Sequence, residues 1–310
     1  MTSSQHADAL SNLETIRDFI RWGASRFAEQ HIFLGHGTVT PLDEAAALVL
    51  HSLHQPYDLS ENYLNSGLTM TERQSLIDII ERRISERKPS AYLTNESLFA
   101  GLAFYVDERV LVPRSPIAEL IAERFSPWVD EDQVFSVLDL CTGSGCIAIA
   151  CAYAFPDAQV DAVDLSEDAL AVAAINLEKH DLADQLDLHQ SDLFNNLPPK
   201  PYDIIVSNPP YVSIAEWESL PAEFHAEPEM GFTGGESGLD LVIRILVDAN
   251  SYLADQGILV VEVGSSAQTL QDSFPEVPFH WLEFEHGGDG VFLLTAQQVS
   301  LYHSLFASAL

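Results

Sequence analysis

Three stretches in the first 90 residues repeat apolar side chains at the spacing of an amphipathic helix. They are Leu13–Ala28, Pro41–Leu53 and a run that follows Thr71. Proline suits the first turn of a helix, and Thr71 with Gln74 has the spacing of a capping box. Three such helices predict a small helical bundle over residues 1–90. The bundle carries no catalytic constellation, and we expect it to serve in substrate recognition.

Short β-like runs follow the predicted bundle and surround a glycine. These runs are Tyr92–Thr94, Leu98–Gly101 and Phe104–Val106. A helix is expected from Ile117, directly after the segment Val112–Pro116. The pattern therefore predicts a β-hairpin and a linker helix over residues 91–126.

From residue 127 onward, strand-like and helix-like segments alternate, which is typical of a parallel sheet covered by helices on both faces. The predicted strands are Val134–Leu140, Gln159–Val163, Leu186–His189, Ile204–Ser207, Ile258–Val263, Phe279–Phe284 and Val291–Leu294. The turn Gly287–Gly290 joins the last two strands, so these should be antiparallel. We predict an α/β fold with a seven-stranded Rossmann-like sheet over residues 127–310, joined to a small N-terminal helical domain by the hairpin.

Charge is distributed unevenly along the chain, whose formal net charge at pH 7 is −33. After residue 125 the only lysines and arginines are Lys179, Lys200 and Arg244. Proteins that bind nucleic acid need basic residues to neutralise phosphates, so the sheet region is a poor match for DNA or RNA. A basic protein or a cationic small molecule suits it better, unless the acidity serves only solubility.

The three cysteines, Cys141, Cys146 and Cys151, have a spacing that matches no zinc motif. We predict no metal site and interpret the cysteines as small apolar residues in a reducing cytoplasm. The first ten residues lack the basic and apolar regions of a secretory signal. The uncharged run Leu140–Pro156 is shorter than the roughly 20 residues of a membrane span. We therefore expect a cytoplasmic protein without a membrane partner.

A glycine loop follows the first predicted strand of the sheet. Gly143-Ser144-Gly145-Cys146-Ile147-Ala148 fits the dinucleotide-binding pattern, and Asp164 lies 19 residues after Gly145. Glycines let the backbone approach a ligand, and a carboxylate can accept hydrogen bonds from two ribose hydroxyls. NAD and S-adenosylmethionine both need these features, so the loop alone leaves the two cofactors open.

The sequence Asn208-Pro209-Pro210-Tyr211 forms a rigid corner after the fourth predicted strand. The Asn208 side-chain carbonyl and the Pro209 backbone carbonyl could together hold the two N–H groups of a planar NH2. Tyr211 could offer an aromatic face, and Asp192, after the third strand, could accept from an adenine amino group. Hydride transfer needs no such paired acceptors, so the corner favours methylation of a nitrogen. The alternative interpretation is a plain proline-rich turn.

The corner, the glycine loop and the segment Pro113-Arg114 with Glu119 resemble the glutamine-specific protein N-methyltransferases. Longer similar segments are Gly35–Thr38, Ala91–Asn95, Phe104–Pro116, Cys141–Asp157, Trp281–Phe284 and Gly287–Phe292. One branch of this family acts on a ribosomal protein and another on release factors. The release-factor branch usually has glycine where Cys141 stands and tryptophan where Leu193 stands, so these two residues favour the ribosomal branch.

The resemblance implies S-adenosyl-L-methionine as methyl donor and a glutamine amide of the basic ribosomal protein L-three, free or in an assembling large subunit, as acceptor. The residues implied for the donor are Asp139, Cys141, Thr142, Gly143, Ser144, Gly145, Asp164, Asp192, Leu193 and Asn208. Those implied for the substrate are Asn208, Pro209, Pro210 and Tyr211, of which Asn208, Pro209 and Tyr211 are expected to be catalytic.

The sequence leaves three alternative functions open. The first is a release-factor glutamine methyltransferase from the same family. The second is a nucleic-acid adenine amino-methyltransferase, because such enzymes use a similar corner on a flipped base. The third is a donor-binding ribosome assembly factor without catalytic activity.

Overall fold

The computed structural model describes residues 3–197 and 199–310, and the chain folds into two compact units. The first unit extends to Ser97 and also contains Pro221–Ala226. The second unit contains Leu98–Leu220 and Glu227–Leu310. No helix in the described part of the chain has the length and apolar character needed to cross a membrane.

The first unit is helical. Its elements are α1 (Ser3–Asn12), α2 (Ile16–Glu29), α3 (Pro41–Ser52), α4 (Met70–Glu86) and α5 (Ser90–Thr94), with a short 3-10 helix at Glu61–Asn65. The apolar faces predicted from the sequence meet in one core, in which Phe19, Phe27, Leu48, Leu76 and Ile80 are fully buried. Pro41 begins α3, and the Thr40 hydroxyl caps it by accepting from the Asp43 backbone N–H.

The capping box of α4 differs from the predicted one. Thr69 has extended backbone angles, and its hydroxyl accepts from the Glu72 backbone N–H. The Glu72 carboxylate in turn accepts from the Thr69 backbone N–H at 2.7 Å. Thr71 therefore lies inside the first turn of α4 and does not cap it, so the prediction of a box between Thr71 and Gln74 is wrong.

The predicted β-like run Tyr92–Thr94 is also wrong, because these residues belong to α5. The helix follows Pro89 and stops at Asn95, whose φ of 53° is left-handed. The neighbouring residues Ala91 and Tyr92 are both buried. The β propensity of tyrosine and threonine is thus overridden by tertiary packing and by the residues at the two ends of the helix, Pro89 and Asn95.

A buried ion pair joins α3 and α4 inside the first unit. The Arg83 Nε donates to the Glu44 carboxylate at 2.5 Å, and the exposed fractions of the two side chains are 1% and 3%. Arg83 Nη2 also donates to the Phe33 carbonyl, while Glu44 accepts from the hydroxyls of Thr38 and Ser90. Charges this deeply buried are tolerated only when they are paired and hydrogen-bonded.

A hairpin of β1 (Ser97–Phe99) and β2 (Leu102–Phe104), which belongs to the second unit from Leu98 onward, confirms the predicted hairpin. Its turn places Ala100 at φ 48° and Gly101 at φ 77°. The further elements are α6 (Ile117–Ala122), β3 (Ser136–Leu140), α7 (Cys146–Ala154), β4 (Gln159–Asp164), α8 (Glu167–His180), β5 (Leu186–Gln190), β6 (Tyr202–Ser207), α9 (Ile214–Trp217), α10 (Asp240–Asp248), β7 (Leu253–Glu262), α11 (Ala267–Ser273), β8 (His280–Trp281), β9 (Val291–Thr295) and α12 (Ala296–Ala307).

The predicted seven-stranded α/β sheet is confirmed, with the strand order β5-β4-β3-β6-β7-β9-β8. Strands β5, β4, β3, β6 and β7 are parallel to their neighbours, whereas β9 is antiparallel to both β7 and β8. Strand β7 begins at Leu253, five residues earlier than predicted, and β8 is only two residues long. The helix α12 was not predicted.

Both faces of the sheet are buried. Along β3 and β6, Val137, Ile204 and Val206 face the core formed with α6 and α7, while Leu138 and Ile205 face the core formed with α10 and α12. Successive side chains of a strand point to opposite faces, so continuous apolar runs are what a doubly covered sheet requires. The carboxyl ends of the parallel strands consequently lie along one edge of the sheet.

We expect Arg83→Ala to lower the free energy of unfolding by roughly 3–5 kcal/mol, because the Glu44 carboxylate would remain buried without its cation. Arg82→Ala is the matched control, since Arg82 forms an exposed pair with Glu86 on the same helix and should cost less than about 1 kcal/mol. Urea denaturation followed by circular dichroism measures both. Equal stability of the two variants would contradict the importance assigned to the buried pair.

Candidate functional site

A cavity of about 320 Å³ lies in the second unit, at the carboxyl ends of the central parallel strands. The register aligns these ends, because Leu140 of β3 is opposite both Val163 of β4 and Ser207 of β6. Ligands of open α/β sheets bind at such an edge. The predicted site residues that line the cavity are Cys141, Gly143, Asp164, Asp192, Leu193, Asn208 and Pro210.

The glycine loop turns sharply between β3 and α7. Cys141, Gly143 and Gly145 have φ values of 60°, 56° and 80°, in the left-handed region that favours glycine. This explains in physical terms why a glycine is suitable at position 141, where the present chain has cysteine. A side chain at Gly145 would place its Cβ only 3.3 Å from the Cβ of Ala173, so this glycine also lets the loop pack closely on α8.

Asp139 lies beneath the glycine loop and does not line the cavity. Its Oδ2 accepts from the Thr142 hydroxyl at 2.5 Å and from the Ala148 backbone N–H at 3.1 Å. Burial raises the pKa of Asp139 to about 7. Thr142 and Ser144 are buried as well, and the Ser144 carbonyl accepts from the Asn176 side chain. These residues fix the shape of the loop from behind.

Asp164, the last residue of β4, lines the cavity. Its Oδ2 accepts from the Gly143 backbone N–H at 2.8 Å, and its Oδ1 accepts from the Ser166 backbone N–H at 2.9 Å. Burial raises its pKa above the ordinary value. Each carboxylate oxygen has a second lone pair, so Asp164 can still accept from a pair of ligand hydroxyls. This pair of acceptor oxygens fits the ribose of a nucleoside ligand.

Asp192 and Leu193 follow β5 and line the cavity next to Asp164. Asp192 forms an ion pair with Arg244 at 2.8 Å and accepts from the Asn195 side chain at 3.2 Å. Leu193 is buried, and its φ of 52° is left-handed. The Asp192 carboxylate is therefore held in place by two protein donors, and a ligand amine would share the carboxylate with them.

The Asn208-Pro209 corner begins directly after β6, and Asn208 and Pro210 line the cavity. The preceding strand end is fixed, because the Ser207 hydroxyl donates to the Leu140 carbonyl at 2.8 Å. Within residues 3–197 and 199–310, neither the Asn208 side-chain amide nor the Pro209 carbonyl forms a hydrogen bond. The side chain of Asn208, which lines the cavity, and the carbonyl of the adjoining Pro209, which does not, thus remain available as acceptors to a ligand.

Tyr211 does not line the cavity. Its hydroxyl donates to the Glu262 carboxylate at 3.0 Å, and its backbone carbonyl accepts from the Ser266 hydroxyl at 2.8 Å. The ring packs on Gly264, where an added Cβ would lie 2.5 Å from a ring carbon. Ser115 donates to the second oxygen of Glu262. Tyr211 therefore helps to hold the corner in place through contacts outside the cavity.

Two cavity-lining segments were not predicted from the sequence as site residues, namely 108–111 and 228–231. They pack against each other, since a Cβ at Gly231 would come within 2.4 Å of Leu111. The first segment lies within the stretch Phe104–Pro116, whose family resemblance was the available signal. Arg114 and Glu119 are not in the cavity wall: Arg114 pairs with Glu227, and Glu119 accepts from the backbone of 285 and 286.

Comparisons with known proteins agree with this fold. The model of the methyltransferase small domain family matches residues 119–223. The chain is 46% identical over 306 residues to the ribosomal protein uL3 glutamine methyltransferase of Francisella tularensis subsp. tularensis, covering 98% of each chain. It is 49% identical over 293 residues to the protein of the same name from Xanthomonas campestris pv. campestris, covering 94% of this chain and 95% of that one.

Among solved structures, the chain resembles the hMettl16 catalytic domain in complex with MAT2A 3′UTR hairpin 6, with a TM-score of 0.50 at 16% identity. The alignment covers 72% of this chain and 80% of that one, and it supports the fold alone. The predicted methyltransferase fold and enzyme class are confirmed, and the methyl donor is of the S-adenosylmethionine type. The predicted family is confirmed too: the chain belongs to the family of ribosomal protein uL3 glutamine methyltransferases.

Proposed function

We propose that this protein transfers a methyl group from S-adenosyl-L-methionine to the side-chain amide nitrogen of a glutamine in ribosomal protein uL3. This is the ribosomal protein called L-three above. The products are N5-methylglutamine, S-adenosyl-L-homocysteine and a proton, which the methylated nitrogen loses to water. The single observation that carries the proposal is a pair of unused acceptors, formed by the amide oxygen of Asn208, which lines the cavity, and the carbonyl of the adjoining Pro209. The names of the two relatives supply the protein on which the glutamine lies.

An amide nitrogen is a weak nucleophile because its lone pair is delocalised into the carbonyl. Asn208 and Pro209 can each accept one N–H of the glutamine amide, which turns the nitrogen lone pair toward the cavity. When bound, the donor supplies an electrophilic methyl group on a positively charged sulfur. The chain's contribution is therefore to orient the nucleophile and to stabilise the charge that develops on its nitrogen.

No side-chain base is required before the new bond forms. As the nitrogen uses its lone pair, it acquires positive charge, and its N–H protons become strongly acidic. The hydrogen bonds to Asn208 and Pro209 strengthen at this point, because their donors become cationic. Stabilisation that increases during the reaction is what raises the turnover rate rather than substrate affinity.

The acceptor group alone does not decide between glutamine and adenine, because both present a planar NH2. Charge favours the protein substrate, since the sheet region contains few basic residues that could contact phosphates. We propose that the substrate is basic uL3, either free or within an assembling large subunit. Ribosomal proteins are made in the cytoplasm, so we place the reaction there.

The function is tested by methylation with a labelled donor. Unmethylated uL3, free and within large-subunit precursors, and a release factor are incubated separately with the enzyme, and mass spectrometry locates the label. The proposal predicts one methyl group on a glutamine side chain of uL3. Labelling of the release factor alone, or of no glutamine, would contradict it.

We expect Asn208→Ala to lower the turnover rate at least about 100-fold, the loss typical of removing one oriented polar group from a developing charge. The affinity for the donor should change little, because the amide of Asn208 is assigned to the acceptor glutamine. Single-turnover methylation gives the rate, and isothermal titration calorimetry gives the donor affinity. Turnover close to that of the wild type would refute the role of Asn208.

Asp164→Ala is the complementary variant. It removes the carboxylate that is placed to accept from the ribose hydroxyls, so the affinity for the donor should fall. Asp187→Asn is its matched control, because Asp187 is exposed on the neighbouring strand β5 and does not line the cavity. Unchanged donor binding by Asp164→Ala in calorimetry would show that the ribose lies elsewhere.

A further inference from the structure

A single basic side chain stands out in the described lining of the cavity, whose other charged residues are acidic. Among its described lining residues Arg109 is the one lysine or arginine, whereas Glu108, Asp164, Asp168 and Asp192 contribute carboxylates. Acidic groups suit the cationic portions of a methyl donor, namely its sulfonium and its ammonium group. The acidic groups cannot pair with the carboxylate of the methyl donor. Arg109 is the cavity-lining side chain whose opposite charge allows it to do so.

Arg109 is held in a defined orientation. Its Nε donates to both oxygens of Asp107 at 2.9 and 3.1 Å, and its Nη2 donates to Asp107 at 2.6 Å. The Tyr105 hydroxyl donates to the same carboxylate at 2.9 Å, which restricts Asp107 in turn. A planar guanidinium fixed along one edge presents its remaining donors in a fixed direction.

The remaining donors are the two N–H groups of Nη1 and the second N–H of Nη2. Nη1 donates no hydrogen bond within residues 3–197 and 199–310. The Arg109 side chain is 36% exposed, so the group is accessible from the cavity rather than enclosed by protein. Hydrogen bonds from the Arg109 guanidinium lower the pKa of Asp107 below its usual value, so Asp107 stays ionised at neutral pH.

The glycine loop offers few alternative donors to an anion. The Thr142 backbone N–H donates to the Val163 carbonyl, and the Gly145 N–H donates to Thr142. The Gly143 N–H donates to Asp164. Three N–H groups that could have contacted a carboxylate are thus already engaged within the fold.

We propose that Arg109, positioned by Asp107, binds the carboxylate of the amino-acid portion of the methyl donor. The inference rests on the proposed function for the identity of the donor. It assigns a binding role to the segment before the sheet, where no donor contact was expected from the sequence. The guanidinium anchors the amino-acid end of the donor and Asp164 the ribose, so the two groups together would fix the ligand at both sides of its sulfur.

Two ligands that differ only in the carboxylate test the assignment. Calorimetry compares S-adenosyl-L-methionine with decarboxylated S-adenosylmethionine on the wild type and on Arg109→Gln. The wild type should prefer the carboxylate-bearing compound roughly ten- to hundredfold, the range for a hydrogen bond to a charged group. Arg109→Gln should bind both compounds about equally, at the affinity of the wild type for the decarboxylated one.

Arg244→Gln is the matched control, because Arg244 pairs with Asp192 on another side of the cavity. It should retain the wild-type preference for the carboxylate-bearing compound. Arg109→Gln that keeps this preference, or a wild type that has none, would overturn the assignment and leave the proposed function intact. A wild type that binds neither compound would instead contradict the proposed function.

Discussion

The backbone hydrogen bonds between β3 and its two parallel neighbours determine where the functional groups lie. The register places Leu140 opposite Val163 on one side and Ser207 on the other. The chain leaves each strand within one or two residues of this level, so the glycine loop, Asp164 and Asn208 converge at one cavity. A shift of one residue in any of these strands would turn its side chains to the opposite face of the sheet.

The residues around this edge divide by what they contact. Asp164 and Asn208 line the cavity, whereas Asp139 and Tyr211 face inward and hold the loop and the corner from behind. Both inward groups bond to buried partners, and burial raises the pKa of each. Glu262 connects the Tyr211 hydroxyl to the Ser115 hydroxyl. The corner that we propose to aim a weak nucleophile would benefit from such support, because small displacements misalign the reacting groups.

Much of the sheet unit could be predicted from the sequence, because buried parallel strands are short apolar runs and the turns carry glycine or proline. The corner was recognisable because consecutive prolines after a strand have few structural uses. Arg109 was not recognisable as a site residue, since its role depends on Asp107 and on a cavity formed by distant segments. For the same reason the Arg83–Glu44 pair remained hidden: the two residues are 39 positions apart and meet only in the folded unit.

The proposed role of Asn208 and Pro209 is to hold the glutamine amide and to direct its nitrogen into the cavity. It is tested most directly by a crystal structure of the enzyme with S-adenosyl-L-homocysteine and a uL3 peptide that contains the modified glutamine. We expect hydrogen bonds of about 2.9 Å from the amide nitrogen to the Asn208 Oδ1 and to the Pro209 carbonyl. A glutamine amide bound elsewhere, or one that meets the corner through its oxygen, would contradict this role of the two residues.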